Sequence, residues 1–402
     1  MNLNEHLYAS IFSKLNMSEE VTDDELQKII YQEIKDYGKT QYLPFQERLN
    51  ISTELFNAFR KLDIIQELLE DDTITEIMIN GIDNIFVERQ GRITKLEKKF
   101  WSQEKLENVI QQIVAGSNRI INESSPIVDA RLKDGSRVNI VLNPIAINGP
   151  IITIRKFFKE SITMEKLVKW GSITTEAAEF LKILVKSRYN IFISGGTGSG
   201  KTTFLNALSE HIPKHERIIT IEDNAELQLR SIPNLVQLEA RMPNVEGEGE
   251  ITIRDLIKSS LRMRPNRIIV GEVRGSEVID MLMAMNTGHD GSLSTAHANT
   301  PQDMISRLET MVLMGMDIPL KAVQKQIVSA IDIMVHVGRL RDGTRKVLEI
   351  SEIKKFQHDV ELNTLYKFRE ERVVNEKIIG TLQLQNKLQN IQKLLDAGYQ
   401  VI

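Results

Sequence analysis

The chain has 402 residues, a formal net charge of −4 and no cysteine, and 41% of its residues are hydrophobic. This length and composition indicate a globular protein of two or three domains, and the lack of cysteine excludes disulfides and thiolate metal sites. The acidic balance argues against a nucleic-acid partner, and without an apolar run of about 18 residues or a signal-peptide pattern we expect a cytoplasmic protein with no direct membrane span.

Residues 1–63 predict an N-terminal helical segment. Within it, Thr22 and Glu25 have the spacing of a capping box at a helix N-terminus. Apolar residues then recur at helical spacing as far as Gly38, namely Leu26, Ile29, Ile30 and Ile34. We interpret this helix as one that packs within the chain or against another subunit; the alternative is a docking site for an outside partner.

Residues 64–158 predict a small α+β domain. Two hairpins are indicated, one turning at Gln90-Gly91 and one at Asp134-Gly135, with a helix between them over 103–121. On the return strand of the second hairpin, apolar residues alternate with polar ones. Arg137 is therefore expected to face away from the apolar side of its sheet.

Residues 159–172 predict a linker with a short helix, and residues 173–355 predict a domain in which strands and helices alternate. The strands are expected at 190–194, 217–222, 267–271 and 291–296. Such alternation is typical of a parallel sheet covered by helices on both faces, with its active site at the carboxyl ends of the strands. Residues 356–402 predict a short hairpin-like segment and then a C-terminal helical extension, in which Leu384, Leu388, Ile391 and Leu395 are in helical register as far as Gly398. Residues 244–250 predict a mobile surface loop.

A glycine-rich loop follows the apolar run Ile191 to Ile193. From Gly195 to Thr202 the sequence fits the phosphate-loop pattern G-x-x-x-x-G-K-[ST], in which backbone N–H groups surround the phosphates. We expect Lys201 to reach the β and γ oxygens and the Thr202 hydroxyl to bind Mg²⁺; a turn that only joins a strand to a helix is the alternative. The predicted nucleotide-binding residues of this loop are Gly195, Gly196, Thr197, Gly198, Ser199, Gly200, Lys201, Thr202 and Thr203.

Acidic residues end two of the predicted strands. Glu272 follows the strand 267–271, where a phosphate-loop enzyme needs a carboxylate to hold the Mg²⁺ shell or to polarise the attacking water. Glu222 and Asp223 end another strand, with Glu226 three residues further on. A buried carboxylate needs a cation or a hydrogen-bond donor, so we expect Mg²⁺, its water or the nucleophile to face this cluster. The alternative is that these acids cap the segment that follows.

Two histidines, His289 and His297, flank a strand of small residues. We expect them to sense the γ-phosphate or to donate to the acids, with a structural role as the alternative; without further ligands they make a weak zinc site. Arginines near these elements are candidates to stabilise the charge of a transferred phosphoryl group. They are Arg254, Arg262, Arg264 and Arg274 around the Glu272 strand, and Arg131, Arg137 and Arg155 in the preceding domain.

Four sequence blocks occur in the order found in one family. They are the loop Gly195–Thr202, the acidic block 220–226, the strand with its acid at 268–274 and the histidine block 288–297. Together they resemble the secretion and pilus-assembly ATPases of type II and type IV secretion systems. The stretches 125–139 and 261–275 resemble the CpaF-like branch, which serves tight-adherence (Flp) pili. The absence of a tetracysteine zinc module agrees with that branch or with its type IV secretion relatives.

The resemblance implies a fold and a site. The fold is α/β, a RecA-like P-loop ATPase domain preceded by a small α+β domain and an N-terminal helical segment. Glu272 is the implied catalytic base and, with Thr202, a metal ligand. The site is completed by Glu222, Asp223, His289, His297 and Arg274, by Arg137 and Arg155 reaching in from the small domain, and by Arg254, Arg262 or Arg264 acting from a neighbouring subunit.

The resemblance also implies an assembly. The expected protein is a homohexameric ATPase that uses ATP and Mg²⁺ to power pilus assembly or retraction, or protein secretion. It is expected to act through an inner-membrane platform protein and to lie peripherally at the inner face of the membrane. The alternatives are a ring-shaped nucleic-acid motor and a scaffold that binds nucleotide without hydrolysing it.

Overall fold

The computed structural model of the chain describes residues 3–15, 21–89, 91–116, 119–157, 162–243, 247–356 and 359–400. The chain divides into two compact units, Met1–Lys159 and Glu160–Ile402. Each unit has its own β-sheet and its own hydrophobic core. No helix in the described ranges is both long enough and apolar enough to cross a lipid bilayer.

The first unit begins with three helices that pack on one another, α1 (Leu3–Lys14), α2 (Asp23–Tyr37) and α3 (Phe45–Arg60). Thr22 caps α2 in a capping box with Glu25, as predicted, and Gly38 ends the helix. The buried side of α2, which includes Leu26 and Ile30, shares a core with α1 and α3. The amphipathic helix predicted from the sequence therefore packs within the chain.

The rest of this unit is an antiparallel sheet with covering helices. Its elements are α4 (Ile64–Glu70), β1 (Ile74–Asn80), β2 (Ile85–Arg89), β3 (Arg92–Lys95), α5 (Gln103–Ala115), β4 (Ile127–Arg131), β5 (Arg137–Val141) and β6 (Ile151–Arg155). The strand order β3-β2-β1-β6-β5-β4 contains both predicted hairpins. Helix α5 ends at Ala115 and not at residue 121 as predicted, with Gly116, a poor helix former, as its C-cap.

The second unit is a sheet covered by helices on both faces. Its helices are α6 (Met164–Lys169), α7 (Thr175–Lys186), α8 (Lys201–Ser209), α9 (Ile253–Ser260), α10 (Val278–Asn286), α11 (Pro301–Gly315), α12 (Leu320–Ala330) and α13 (Gln392–Asp396). Its strands are β7 (Ile191–Gly195), β8 (Ile218–Glu222), β9 (Leu235–Glu239), β10 (Arg267–Val270), β11 (Leu293–His297), β12 (Ile333–Arg339), β13 (Arg345–Phe356), β14 (Asp359–Val374) and β15 (Lys377–Leu384).

The strands of this sheet have the order β15-β14-β13-β12-β7-β11-β10-β8-β9. Those from β12 to β9 run parallel, and β7, β8, β10 and β11 lie within two residues of their predicted positions. Helices α6 to α8 share one core with the sheet, and α9 to α12 share the core on its other face. The carboxyl ends of β7, β8, β10 and β11 therefore meet at one edge, where a site is expected.

Beyond residue 355 the chain contains the predicted hairpin, formed by β14 and β15, but not the long helix predicted after it. Strands β13, β14 and β15 extend the sheet in antiparallel fashion, and in the described part of 356–402 only the short α13 is an α-helix. Leu384 ends β15, and the following segment is tied to the sheet by the Glu352 carboxylate, which accepts the N–H groups of Gln389 and Asn390. These tertiary contacts outweigh the helical spacing of the leucines. The loop predicted at 244–250 begins with residues 244–246, which lie outside the described residues.

Candidate functional site

The phosphate loop joins β7 to α8 at the carboxyl edge of the parallel strands. Gly198 and Gly200 have φ values of 68° and 93°, in the left-handed region that glycine adopts most readily. A Cβ on Gly195 would lie 2.2 Å from the carbonyl oxygen of Val337. The loop therefore needs glycine at these three positions.

The loop fits a bound polyphosphate. A Cβ placed on Gly196 or Gly198 would meet no atom within 4 Å, and within the described part of the chain Ser199 Oγ is buried without a hydrogen-bond partner. Thr202 and Thr203 lie in the first turn of α8, and N–H groups at a helix N-terminus favour an anion. Open space, an unused hydroxyl and a helix N-terminus are the features that a triphosphate with its Mg²⁺ requires.

Lys201 is buried at the start of α8. Its Nζ donates to the carbonyl oxygens of Gly195 and Gly196 at 3.2 Å each. It also lies 3.2 Å from Nδ1 and 3.3 Å from Nε2 of His297, which ends the neighbouring strand β11. The ammonium group is thus held between the phosphate loop and one of the two predicted histidines.

Glu272 connects this pair to Arg274. Its Oε1 lies 2.7 Å from His297 Nε2, and its Oε2 accepts hydrogen bonds from Nε and Nη2 of Arg274 at 3.0 and 2.8 Å. Arg274 Nη1 lies 3.6 Å from Asp223 Oδ2. Lys201, His297, Glu272, Arg274 and Asp223 therefore form one continuous set of contacts, which we call the site network.

The imidazole of His297 is mostly neutral at pH 7. Burial and the nearby charge of Lys201 lower its pKa, although Glu272 opposes them. A neutral ring can accept a hydrogen bond from the Lys201 ammonium group. Oε2 of Glu272 accepts two hydrogen bonds from Arg274, whereas its buried Oε1, although close to His297, has no hydrogen-bond partner within the described residues.

Glu222 ends β8 and is buried, with 4% of its surface exposed. Its Oε1 accepts the backbone N–H groups of Glu226 at 2.9 Å and of Leu227 at 3.1 Å, and its Oε2 lies 3.2 Å from the same Leu227 nitrogen. It also packs closely on Gly271, where a Cβ would lie 2.7 Å from Glu222 Cγ. These contacts favour the alternative in which Glu222 caps the segment after its strand, whereas Asp223 joins the site network.

His289 lies away from the loop. It precedes β11 by four residues, and its Nδ1 lies 3.2 Å from the carbonyl oxygen of Ala284. Because β11 runs parallel to β7, this position is at the opposite end of the sheet from the loop. The prediction that His289 belongs to the same site as His297 is therefore wrong. The two histidines lie at opposite ends of β11, and a strand extends by about 3.3 Å per residue.

Of the three arginines predicted to act from a neighbouring subunit, two lie far from the loop of their own chain and the third pairs with an acid. Arg262 and Arg264 are exposed and precede β10, again at the opposite end of the sheet. Arg254, in α9, donates from Nε to Asp280 Oδ2 at 2.7 Å. Its charge is therefore compensated within the unit, and a role across subunits stays a prediction for all three.

Arg137 and Arg155 belong to the first unit. They are direct cross-strand neighbours on β5 and β6, and Arg131 on β4 is the next neighbour of Arg137. Val138 and Ile154, adjacent to them in sequence, are buried. The prediction that Arg137 faces away from the core is confirmed, and the three arginines form a row across the other face of the sheet.

Two residues outside the predicted set contact the loop or its strand. Arg345, the first residue of β13, donates from Nε to the carbonyl oxygen of Gly198 at 2.7 Å. His336, buried on β12, has Nδ1 2.9 Å from Ser194 Oγ, and burial lowers its pKa. The Asp342-Gly343 pair between two strands is a hairpin signal that places Arg345 near the carboxyl end of β12, whereas no sequence signal marks His336.

Comparisons with known proteins agree with this fold. Residues 59–376 match the family described as Type II/IV secretion system protein. The chain is 34% identical over 322 residues to a Mycobacterium tuberculosis protein named for conjugal transfer, which covers 79% of this chain and 90% of that one. It is 32% identical over 320 residues to the type IV secretion system protein VirB11 of Brucella suis biovar 1, which covers 73% and 88%.

Among solved structures, the pilus retraction motor PilT with bound ADP shares the fold. It has 20% sequence identity and a TM-score of 0.52, and the match covers 84% of this chain and 87% of that one. The predicted fold class, a RecA-like α/β domain after a small α+β domain, is confirmed. The chain belongs to the type II/IV secretion system protein family.

Proposed function

We propose that this chain is a P-loop ATPase that hydrolyses ATP with Mg²⁺ and powers a secretion or pilus system. The observation that carries the proposal is the site network, which connects Lys201 of the phosphate loop to Glu272 through His297. Family membership supports a role in a secretion system, since relatives with 34% and 32% identity are named for conjugal transfer and type IV secretion.

Each residue of the site then has a role. Bound ATP and Mg²⁺ supply the phosphoanhydride that is cleaved and the cation that neutralises its charge. Lys201 and the loop N–H groups hold the phosphates, and we assign Thr202 and Glu272 to the metal. Glu272 also accepts the proton of the attacking water through its buried Oε1, while Arg274 holds its carboxylate in place.

The finer assignments rest on the resemblance to the CpaF-like branch. In this proposal the chain forms a homohexamer that acts on an inner-membrane platform protein of a pilus or secretion system, at the cytoplasmic face of the membrane. Arg137 and Arg155 contact the nucleotide, and Arg254, Arg262 or Arg264 acts from the neighbouring subunit. Nucleic acid is not a partner, in keeping with the net charge of −4.

The variant Glu272→Gln tests the proposal. It keeps the size of the side chain and removes the base, so we expect Mg²⁺-dependent ATP binding to persist while turnover falls by about 10²- to 10⁴-fold. Binding is measured by calorimetric titration, and turnover by phosphate release. The matched control is Glu361→Gln on β14, where the carboxylate pairs with Lys354 and turnover is expected to be unchanged.

The same measurements separate the alternatives. Unaltered phosphate release by Glu272→Gln would refute the role of this carboxylate. Wild-type protein that binds ATP but releases no phosphate, with or without the platform protein, would favour a nucleotide-gated scaffold. Salt-sensitive binding of single-stranded nucleic acid would favour a nucleic-acid motor.

A further inference from the structure

The hairpin of β12 and β13 brings an arginine onto the phosphate loop from a distant part of the sequence. Arg345 Nε donates to the carbonyl oxygen of Gly198 at 2.7 Å across a separation of 147 residues. Its Cδ would lie 3.5 Å from a Cβ on Gly200. The side chain therefore lies along the tip of the loop, on the residues whose N–H groups are expected to bind phosphate.

The charge of Arg345 has no acidic partner in the described part of the chain. Nε is its only side-chain donor with a hydrogen-bond partner there, so both Nη groups remain as donors. The residue is exposed, and its cross-strand neighbour is another cation, Arg339. The arginines of this unit that contact a carboxylate include Arg188, Arg254, Arg267, Arg274 and Arg341.

The surroundings of Arg345 favour an anion. The loop already carries the Lys201 ammonium and the positive end of the α8 dipole. The Arg345 guanidinium is repelled by this positive charge. A multiply charged anion bound at the loop would reduce that repulsion. A guanidinium also offers a planar fork of donors that matches two phosphate oxygens.

We propose that Arg345 binds the phosphates of the nucleotide in its own subunit, with Nε on Gly198 and its Nη groups on phosphate oxygens. The inference rests on the proposed function, because it assigns a further residue to the same nucleotide site. It adds a charged contact from the β12–β13 hairpin, which lies outside the four sequence blocks of the family resemblance.

Two variants separate a phosphate contact from a structural contact with the loop. In Arg345→Gln the amide can still donate to the Gly198 carbonyl but has no charge, whereas Arg345→Lys keeps the charge. Arg341→Gln is the matched control, since Arg341 lies in the same hairpin and pairs with Glu370. Each full-length protein is titrated with MgATP and, separately, with inorganic pyrophosphate, and its Tm is measured without ligand.

We expect Arg345→Gln to weaken binding of MgATP and of pyrophosphate by about 10-fold or more, and Arg345→Lys to recover part of the loss. Ligand-free Tm and the affinities of Arg341→Gln should match those of the wild type. Unchanged affinity in Arg345→Gln, or a loss seen for MgATP but not for pyrophosphate, would overturn the phosphate contact. So would a ligand-free Tm lowered by several degrees. Absence of binding by the wild type itself would instead overturn the proposed function, and this inference with it.

Discussion

Replacing Glu222 by Gln separates a structural carboxylate from a catalytic one. The buried carboxylate accepts the backbone N–H groups of Glu226 and Leu227, with N···O distances of 2.9 to 3.2 Å. In Glu222→Gln the side chain keeps its size, but one acceptor oxygen becomes an NH₂ group. If the NH₂ group takes the place of Oε2, it faces the N–H of Leu227, and two donors then oppose each other. The two hydrogen bonds to Oε1 also become weaker, because their acceptor is no longer charged.

The magnitude follows from those two hydrogen bonds. A hydrogen bond to a charged group contributes about 1.5–3 kcal/mol, against about 1 kcal/mol for a neutral one. Removing the charge from both bonds lowers the free energy of unfolding by about 2 kcal/mol. For a domain of this size each kcal/mol corresponds to about 2–4 °C, so we expect Tm to fall by about 4–8 °C.

Calorimetry and phosphate release together decide the role of Glu222. We expect a lower Tm, with kcat measured well below Tm staying within about tenfold of the wild type, because the carboxylate does not act in the chemistry. Glu239→Gln is the control, since Glu239 is exposed and is the cross-strand neighbour of Glu222. An unchanged Tm with kcat lowered by about 10²-fold or more would refute this reasoning and make Glu222 a catalytic residue.

Two further predictions concern stability. Arg267→Met leaves the buried Glu216 carboxylate without its main partner at 2.5 Å, so urea unfolding should show a loss of about 3–5 kcal/mol; a loss below about 1 kcal/mol would contradict this. Burial lowers the pKa of His336 and of His297, so the unfolded chain binds protons first and stability should fall as the pH drops below about 6.5. In His336→Gln we expect the urea midpoint to fall less between pH 7.5 and pH 5.5 than in the wild type. An equal fall in both proteins would contradict the lowered pKa of His336.

Local sequence pattern accounts for the parts of the protein that could be predicted. The loop Gly195–Thr202 needs particular residue types at fixed spacing, because only those types turn tightly and offer N–H groups, an ammonium and a hydroxyl to phosphate. Four buried strands could be located because each is an apolar run of strand length. Glu272 follows one such strand and His297 ends another, and the carboxyl ends of parallel strands share an edge, so their proximity also followed from the sequence.

The tertiary structure decided which atoms of distant residues meet. It placed His289 at the far end of β11, gave Glu222 backbone partners that its position at a strand end does not reveal, and brought Arg345 to Gly198. It also placed Leu384 at the end of strand β15 instead of in the predicted C-terminal helix. Residue type and local spacing set which conformations and which chemistry are available, whereas strand pairing and packing over long separations select among them.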